Sequence, residues 1–311
     1  MKLVVMIPAY NEEKSIGAVI EEIPRSIEGI DLVEILVIND GSIDMTVEKA
    51  LLKGATKIIS NKKNLGLAKS FKIGMNEAMA MGADIIVNID ADGQYDASEI
   101  RDLIEPIIKN KADMVLGNRQ VKTLKHMPHS KKIGNIVATF ITSKLAGYPI
   151  YDAQTGYRAF SKDAAMKLNI LSEYTYVQET IIQATHKDFT IYQIPIKFRK
   201  RDGDSKLISN IFSYAKKASV SLIKTYRDYN PLKAYGGLGV IFSMIGFGFG
   251  FIVLNNYFNT GSFSGHIGRG LLSVMFLFIG LQMIIFGLIA DILKNQRILQ
   301  EEILYTLKKR K

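Results

Sequence analysis

The sequence predicts an α/β domain built on a mostly parallel sheet, followed by a hairpin of two membrane-spanning helices. Three observations carry this. Over the first 200 residues, short β-branched runs alternate with helical patterns, as in a parallel sheet with helices on both faces. Two later stretches, Gly236–Phe258 with 23 residues and Gly270–Ala290 with 21, hold no charge, and each is long enough to cross roughly 30 Å of hydrocarbon as a helix. Finally, the polar motifs fall at the carboxyl ends of the predicted strands, where such sheets place their sites.

The elements follow in order. Leu3–Ile7 reads as a strand, and a helical pattern runs from about Glu13 to Ile23. Glu34–Ile38 is the next strand, followed by a helix near Met45–Lys53. Lys57–Ser60, a helix over Leu67–Met81 and the buried strand Ile85–Ile89 complete the pattern. Another helical stretch starts near Ile133. In Leu207–Asn230, Ile208, Ile211, Phe212, Ala215, Leu222 and Ile223 recur near the helical period, with Lys216, Lys217 and Lys224 on the same segment. That segment suits either a helix lying on a membrane surface or an ordinary amphipathic helix packed on the domain; Pro231 is expected to end it. The two uncharged runs lack a polar face, which favours membrane spans over buried core helices. The connector Asn259–Arg269 is short, so the spans are antiparallel, and Ile292–Leu307 is expected to continue the second and offer a surface for homo-oligomer formation. The expected boundaries are 1–206 for the α/β domain, 207–232 for the amphipathic helix, 233–293 for the spans and 294–311 for a basic tail.

Composition narrows the function. Of 311 residues, 48% are apolar and 23% charged, which excludes a disordered or collagen-like chain. The absence of cysteine removes disulfides, thiolate metal sites and thiol nucleophiles, and the four histidines show no zinc-binding spacing. Residues 1–196 hold 23 Lys/Arg against 24 Asp/Glu, whereas 197–235 hold 10 against 3 and 291–311 hold 6 against 3. The net charge of +10 therefore flanks the apolar block, a pattern for anionic lipid headgroups and against nucleic acid. Basic residues crowd the outer flanks of the hairpin, and only Arg269 lies in its connector. The positive-inside rule then places both termini and the α/β domain in the cytoplasm of a multi-pass cell-membrane protein. The strand-like Lys2–Ile7 at the start leads us to expect no signal peptide.

Three strand ends carry the chemistry. The first reads Pro8-Ala9-Tyr10-Asn11-Glu12-Glu13, the second Asn39-Asp40-Gly41-Ser42, the third Asp90-Ala91-Asp92-Gly93-Gln94. Two carboxylates two residues apart at a strand end, with Gln94 adding an oxygen, suit Mg²⁺ or Mn²⁺ bound together with phosphate oxygens. The same spacing also occurs in ordinary surface turns; its position after a buried strand argues for the metal.

Together these motifs resemble glycosyltransferase family 2, and within it the polyprenyl-phosphate glycosyltransferases of the dolichyl-phosphate mannose synthase group. The resemblance covers roughly residues 1–206 and implies the A-type glycosyltransferase fold, a nucleotide-sugar donor, a dolichyl or undecaprenyl phosphate acceptor and an inverting transfer. The family's PxYNE is matched by Pro8, Tyr10, Asn11 and Glu12, part of the nucleotide pocket. Its DDGS is matched at Asp40, with Asn39 in place of the first Asp. Asn64, Gly66 and Gly74 match a later motif, and Asp90, Asp92 and Gln94 match the metal motif in full. Gly117-Asn118-Arg119 stands for GSR and makes Arg119 a candidate ligand of the acceptor phosphate. Lys131 and Asn135 occupy the neighbourhood where the family places a second Arg and a Ser for the same phosphate. Asp152, Thr155, Gly156 and Arg158 match DxxSGxR, with Asp152 and Arg158 read either as an ion pair or as substrate contacts; Glu179 matches a helix-borne acid. The basic run Arg199–Lys206 would pass for a solvated charge run, but the resemblance makes Arg201 and Lys206 clamps on the donor diphosphate. The implied catalytic set is Asp92, Arg119 and Arg201.

Three alternatives carry their own signatures. A glycosyltransferase extending a lipid-linked oligosaccharide or polysaccharide would be expected to carry QxxRW and more spans; the chain has neither. A catalytically silent membrane scaffold would have lost the metal motif or the basic clamp, and both are present. A dinucleotide oxidoreductase would need GxGxxG after the first strand, which is missing. Asn39 leaves uridine and guanosine both open.

Overall fold

The computed structural model describes residues 1–125, 127–172, 175–200, 220, 223–224 and 226–309. The chain divides into two units, Met1–Leu222 and Ile223–Lys311.

The first unit is a seven-stranded sheet of order β3-β2-β1-β4-β6-β5-β7. Its strands are β1 (Lys2–Ala9), β2 (Leu32–Asn39), β3 (Lys57–Ser60), β4 (Ile85–Asn88), β5 (Met114–Asn118), β6 (Arg158–Ser161) and β7 (Ile191–Pro195). All neighbours are parallel except β6, which runs antiparallel to β4 and β5. The first four strands lie where the β-branched runs predict them, because a strand buried on both faces reads as a continuous apolar run. The helices are α1 (Ile16–Glu22), α2 (Thr46–Leu52), α3 (Leu67–Ala80), α4 (Ile100–Ile108), α5 (His129–Ala146), α6 (Lys162–Lys167) and α7 (Val177–His186).

Alternation along the strands builds a core on each face. Leu3, Val5 and Ile7 of β1 join Ile35, Val37, Ile85 and Val87 under α1 and α4 in one fully buried cluster. On the other face α3 comes so close that a Cβ on Gly74 would lie 2.8 Å from Ile38 Cδ1 and 3.0 Å from Met6 Sδ. Alanine there would force the Ile38 and Met6 side chains to shift.

The second unit holds α8 (Pro231–Thr260) and α9 (Ile267–Lys309), both long and apolar enough to cross a membrane. They pack backbone to backbone: Ser273 Oγ donates to Gly246 O at 2.8 Å, and a Cβ on Gly239 would lie 2.6 Å from Ile284 Cγ1. Small residues at such a seam let helices approach where lipid offers no hydrophobic drive. The connector is tighter than the sequence reading, because α8 runs on to Thr260 and Gly261 ends it in a left-handed conformation at φ 70°. α9 continues past Ala290 without a break through Lys309. The amphipathic segment read at 207–232 lies largely outside the described residues.

Candidate active site

Parallel pairing of β2, β1 and β4 brings the three polar strand ends to one edge of the sheet, with Asn39 opposite Ala9 and Asn88 opposite Met6. The first two ends are stitched together. Asn11 N donates to Ser42 Oγ, Ile43 N to Asn11 Oδ1 and Glu12 N to Thr46 Oγ1, each at 2.9 Å. Asn11 takes a left-handed backbone, φ 54°, to do this, and asparagine tolerates that region better than most residues. Pro8, Tyr10 and Glu12 are all partly exposed along this edge.

Asn39 and Asp40 are buried and hold the chain itself. Asn39 Oδ1 accepts from Ser42 N at 2.9 Å, while its amide donates to Ser60 Oγ at 3.1 Å. Asp40 accepts from Leu65 N at 2.8 Å, Gly66 N at 2.9 Å and Asn61 Nδ2 at 2.9 Å. Both side chains thus shape this edge by fixing the 41–46 and 61–66 turns.

At the third end, Asp92 Oδ1 accepts from Gln94 N at 3.1 Å, a local turn made possible by Gly93 at φ 72°. Gln94 then pairs with Arg199: Arg199 N donates to Gln94 O at 2.7 Å and Gln94 Nε2 to Arg199 O at 3.3 Å. Tyr95 bridges Phe198 in the same antiparallel manner. Arg199 is further fixed by Glu22 at 2.8 Å and Asp96 at 3.1 Å. Phe198 and Arg199, at the start of the basic run, are therefore tied to the segment that follows β4. Arg201 and Lys206 themselves lie outside the described residues.

The Asp90 carboxylate lies against Gly156, where an added Cβ would sit 2.7 and 2.8 Å from its two oxygens. Gly156 is held by Tyr95 Oη, which accepts its N–H at 2.9 Å, and by Asn88 Nδ2, which donates to its carbonyl at 2.7 Å. Burial pushes the Tyr95 pKa up to about 12, so the phenol keeps its proton at neutral pH. Asp90, Asp92 and Gln94 supply hard oxygen donors, and Gly156 leaves the space that a side chain would otherwise fill. This donor set fits a divalent cation. Among the described residues no group of three His, Asp or Glu side chains is placed to hold a metal by itself.

Arg119, at the end of β5, meets Asp152 in a bidentate pair, Nε to Oδ2 at 2.7 Å and Nη2 to Oδ1 at 2.9 Å. Their side chains are only 9% and 1% exposed. The Phe198 ring lies 5.1 Å from the guanidinium carbon. Burial would raise the Asp152 pKa, but the charge and hydrogen bonds of Arg119 outweigh it and hold the carboxyl below its ordinary value. Arg119 thus joins the loop after α5 to the edge that carries Asp90. Lys131 is exposed on the first turn of α5 and Asn135 lies one turn on, with its Oδ1 accepting from Thr139 Oγ1 at 3.5 Å. Thr139 Oγ1 in turn accepts from Ala153 N at 3.1 Å, tying α5 to the 152–156 loop.

The Asp152–Arg158 ion pair considered from the sequence does not form. Arg158 is fully buried and donates to Thr155 O, Ala153 O, Val177 O and Thr180 Oγ1. Burial draws its pKa down to about 10, so it remains a cation that braces the 153–155 loop against α7. Glu179 is likewise turned inward, accepting from Leu171 N and Ser172 N at 3.0 Å. Sequence reasoning missed Tyr95, Asn88 and Phe198, and took Arg199 only as part of the basic run. Tyr95 follows the metal motif directly and Asn88 interrupts a buried apolar strand, and both were legible signals; the Arg199–Gln94 pairing spans 105 residues and was not.

The chain matches the family model described as glycosyl transferase family 2 over residues 4–168. It is 36% identical over 216 residues to the UDP-N-acetylglucosamine–dolichyl-phosphate N-acetylglucosaminyltransferase of Methanococcus voltae, covering 62% of this chain and 83% of that one. It is 29% identical to the dolichyl-phosphate hexose transferase of Haloferax volcanii, over 66% of this chain and 86% of that one. Among solved structures, glucosyl-3-phosphoglycerate synthase of Mycobacterium tuberculosis, in complex with Mn²⁺, UDP and phosphoglyceric acid, superposes with a TM-score of 0.57 at 20% identity. That superposition covers 72% of this chain and 78% of that one, and it shows the shared A-type glycosyltransferase fold.

Proposed function

The chain belongs to glycosyltransferase family 2, and we propose that it moves a hexose from a nucleotide-sugar donor to a polyprenyl phosphate, dolichyl or undecaprenyl, at the cytoplasmic face of a membrane. A phosphate oxygen of the acceptor attacks the anomeric carbon from the side opposite the leaving group. The bond from that carbon to the donor diphosphate breaks, and a nucleoside diphosphate departs with its electron pair. The nucleophile is already an anion, so no proton has to be removed. The difficulty is bringing two anionic phosphates together and stabilising the departing charge.

The residues divide that task. Pro8, Tyr10, Glu12, Asn39 and Asp40 form the nucleotide edge. Asp90, Asp92 and Gln94 would hold Mg²⁺ or Mn²⁺, which when bound neutralises diphosphate charge. Arg201 and Lys206, which follow Arg199 in the sequence, bind the donor diphosphate. Arg119, oriented by Asp152, and Lys131 with Asn135 receive the acceptor phosphate. The domain limits read from the sequence serve this reading: residues 1–206 catalyse, 207–232 lie at the membrane surface, 233–293 span it, and 294–311 return to the cytoplasm with the N-terminus.

The observation that carries the proposal is the Asp90–Gly156 contact beside the buried Arg119–Asp152 pair, in a chain with two helices able to cross a membrane. The relatives named for transfer onto dolichyl phosphate support the acceptor class. The test is purified full-length protein with polyprenyl phosphate, Mg²⁺ or Mn²⁺ and a panel of labelled nucleotide sugars, followed by solvent extraction. Label in a lipid bearing a single sugar is expected. Label confined to longer glycans would favour the chain-extending alternative, and no transfer from any donor would refute the reading.

A further inference from the structure

Helix α9 repeats every seven residues on two opposite sides. On one side Ser273, Gly280 and Gly287 are buried against α8. Ser273 Oγ donates to Gly246 O, a Cβ on Gly280 would lie 2.8 Å from Gly239 O, and one on Gly287 would lie 3.3 Å from Tyr235 Cβ. On the other side run two rows of every seventh residue, one from Met275 to Ile303 and one from Phe278 to Thr306, and every member of both is exposed. Rows offset in this way are the a and d positions of a coiled-coil seam, and the row that packs on α8 stands at f, directly behind it.

The seam does not stop with the membrane span. With Gly270–Ala290 in hydrocarbon, residues 291–309 carry the same helix into water for about 28 Å, and no glycine or proline turns it onto the bilayer surface. There Ile292, Leu299 and Ile303 are 60%, 61% and 61% exposed, beyond the reach of lipid. The charges of 291–307, Asp291, Lys294, Arg297, Glu301 and Glu302, all fall off the a and d rows, so nothing on the seam repels a neighbour.

Gln282 identifies that neighbour. It occupies an a position near the middle of the uncharged run, is exposed, and its side chain makes no hydrogen bond among the described residues. An amide facing hydrocarbon alone is unfavourable, and a polar group on a second helix at the same depth relieves it. Two copies of this chain inserted in the same sense run parallel, so Gln282 meets Gln282, and Gln296 meets its counterpart two heptads further on. From Met275 to Thr306 the seam is about 47 Å long and roughly 10 Å wide. That is about 1,000 Å² over both copies, the size at which specific interfaces begin.

We propose that α9 pairs in parallel with α9 of a second copy along this seam, with Gln282 fixing the register inside the bilayer. This pairing shares with the proposed function only the premise that α8 and α9 enter a membrane, and it does not depend on the transfer reaction.

The chain has no cysteine, so single replacements report contact. Ile292→Cys, Leu299→Cys and Ile303→Cys lie on the seam, whereas Ile298→Cys and Leu304→Cys, 45% and 42% exposed, lie beside it. Each full-length variant is co-expressed with two different affinity tags, and carbonate-washed membranes are oxidised with copper phenanthroline. The seam thiols should give disulfide-linked pairs carrying both tags, and the flanking thiols should stay largely monomeric. In liposomes, energy transfer between labelled copies is followed as lipid dilutes them. Gln282→Leu should loosen the pair about fivefold, as loss of one interhelical hydrogen bond does, and Gln282→Asn should recover much of that. Equal cross-linking at all five positions, or none on the seam, would overturn the pairing and leave the transferase reading standing. Seam thiols joined to some other protein would overturn it as well. Wild-type pairing by Gln282→Leu would overturn the role of Gln282. A chain stripped from the membrane by carbonate would overturn this pairing and the membrane part of the proposed function together.

Discussion

Gly156→Ala tests the candidate site through one methyl group. The new Cβ would stand 2.7 Å from Asp90 Oδ2 and 2.8 Å from Oδ1, whereas ordinary contact begins at 3.4 Å. The carboxylate or the 152–156 loop has to retreat by about 0.7 Å, the difference between those distances. Neither moves cheaply. The loop is held by Tyr95, by Asn88 and by Arg158, which donates to Thr155 O and Ala153 O while anchored to Val177 O and Thr180 Oγ1, and Asp90 follows a strand buried on both faces. Overpacking of this kind costs about 1–3 kcal/mol. Displacement of a site group by most of an ångström lowers turnover on the order of 10²-fold. Gly156 does not have the positive φ that would make alanine strained for backbone reasons alone, so the effect isolates the contact with Asp90. Gly134→Ala is the control, since a Cβ there meets nothing within 4 Å. Titration calorimetry of Mn²⁺ with nucleoside diphosphate, run beside thermal denaturation, reads both consequences. If Gly156→Ala bound metal and nucleotide with wild-type affinity and kept its turnover, Asp90 would not be positioned by this contact and the metal assignment would lose its support.

Four further outcomes are expected. Asp152→Asn should destabilise the sheet-bearing unit by about 3–5 kcal/mol, because it strands the buried Arg119 charge; Asp152→Asn with Arg119→Met should recover part of the loss, and strict additivity in denaturation experiments would refute the coupling. Because the folded-state pKa of Asp152 is depressed, its stabilisation should be fully present above the ordinary value of about 3.9 and should disappear as pH falls through the lower folded value, a loss absent from the pH–stability curve of Asp152→Asn. Asp92→Ala should abolish most metal-dependent turnover while leaving the melting temperature nearly unchanged, since Asp92 is partly exposed at a strand end; retained activity in chelator would sink the metal role. A cysteine at Ser262 should react with an impermeant thiol reagent in intact cells and one at Lys311 should not; the reverse labelling would move the proposed active site to the other face of the membrane.

The amino-acid sequence by itself determined the first four strands, the helices between them and the two long apolar runs. Those depend on periodicity, β-branching and runs of uncharged residues, all of which are local. It also determined which polar residues arrive at one edge of the sheet, because strand ends in a parallel sheet converge whatever the loops do. Tertiary structure decided what these side chains do there. Asn39 and Asp40 look alike to a motif, yet their oxygens face backbone N–H groups of the 41–46 and 61–66 turns. Asp152 finds Arg119 rather than Arg158, because β6 carries Arg158 under α7 while the end of β5 delivers Arg119 to the loop. Partners more than about thirty residues apart in sequence meet only when the sheet order brings their strands together, and no local pattern encodes that order.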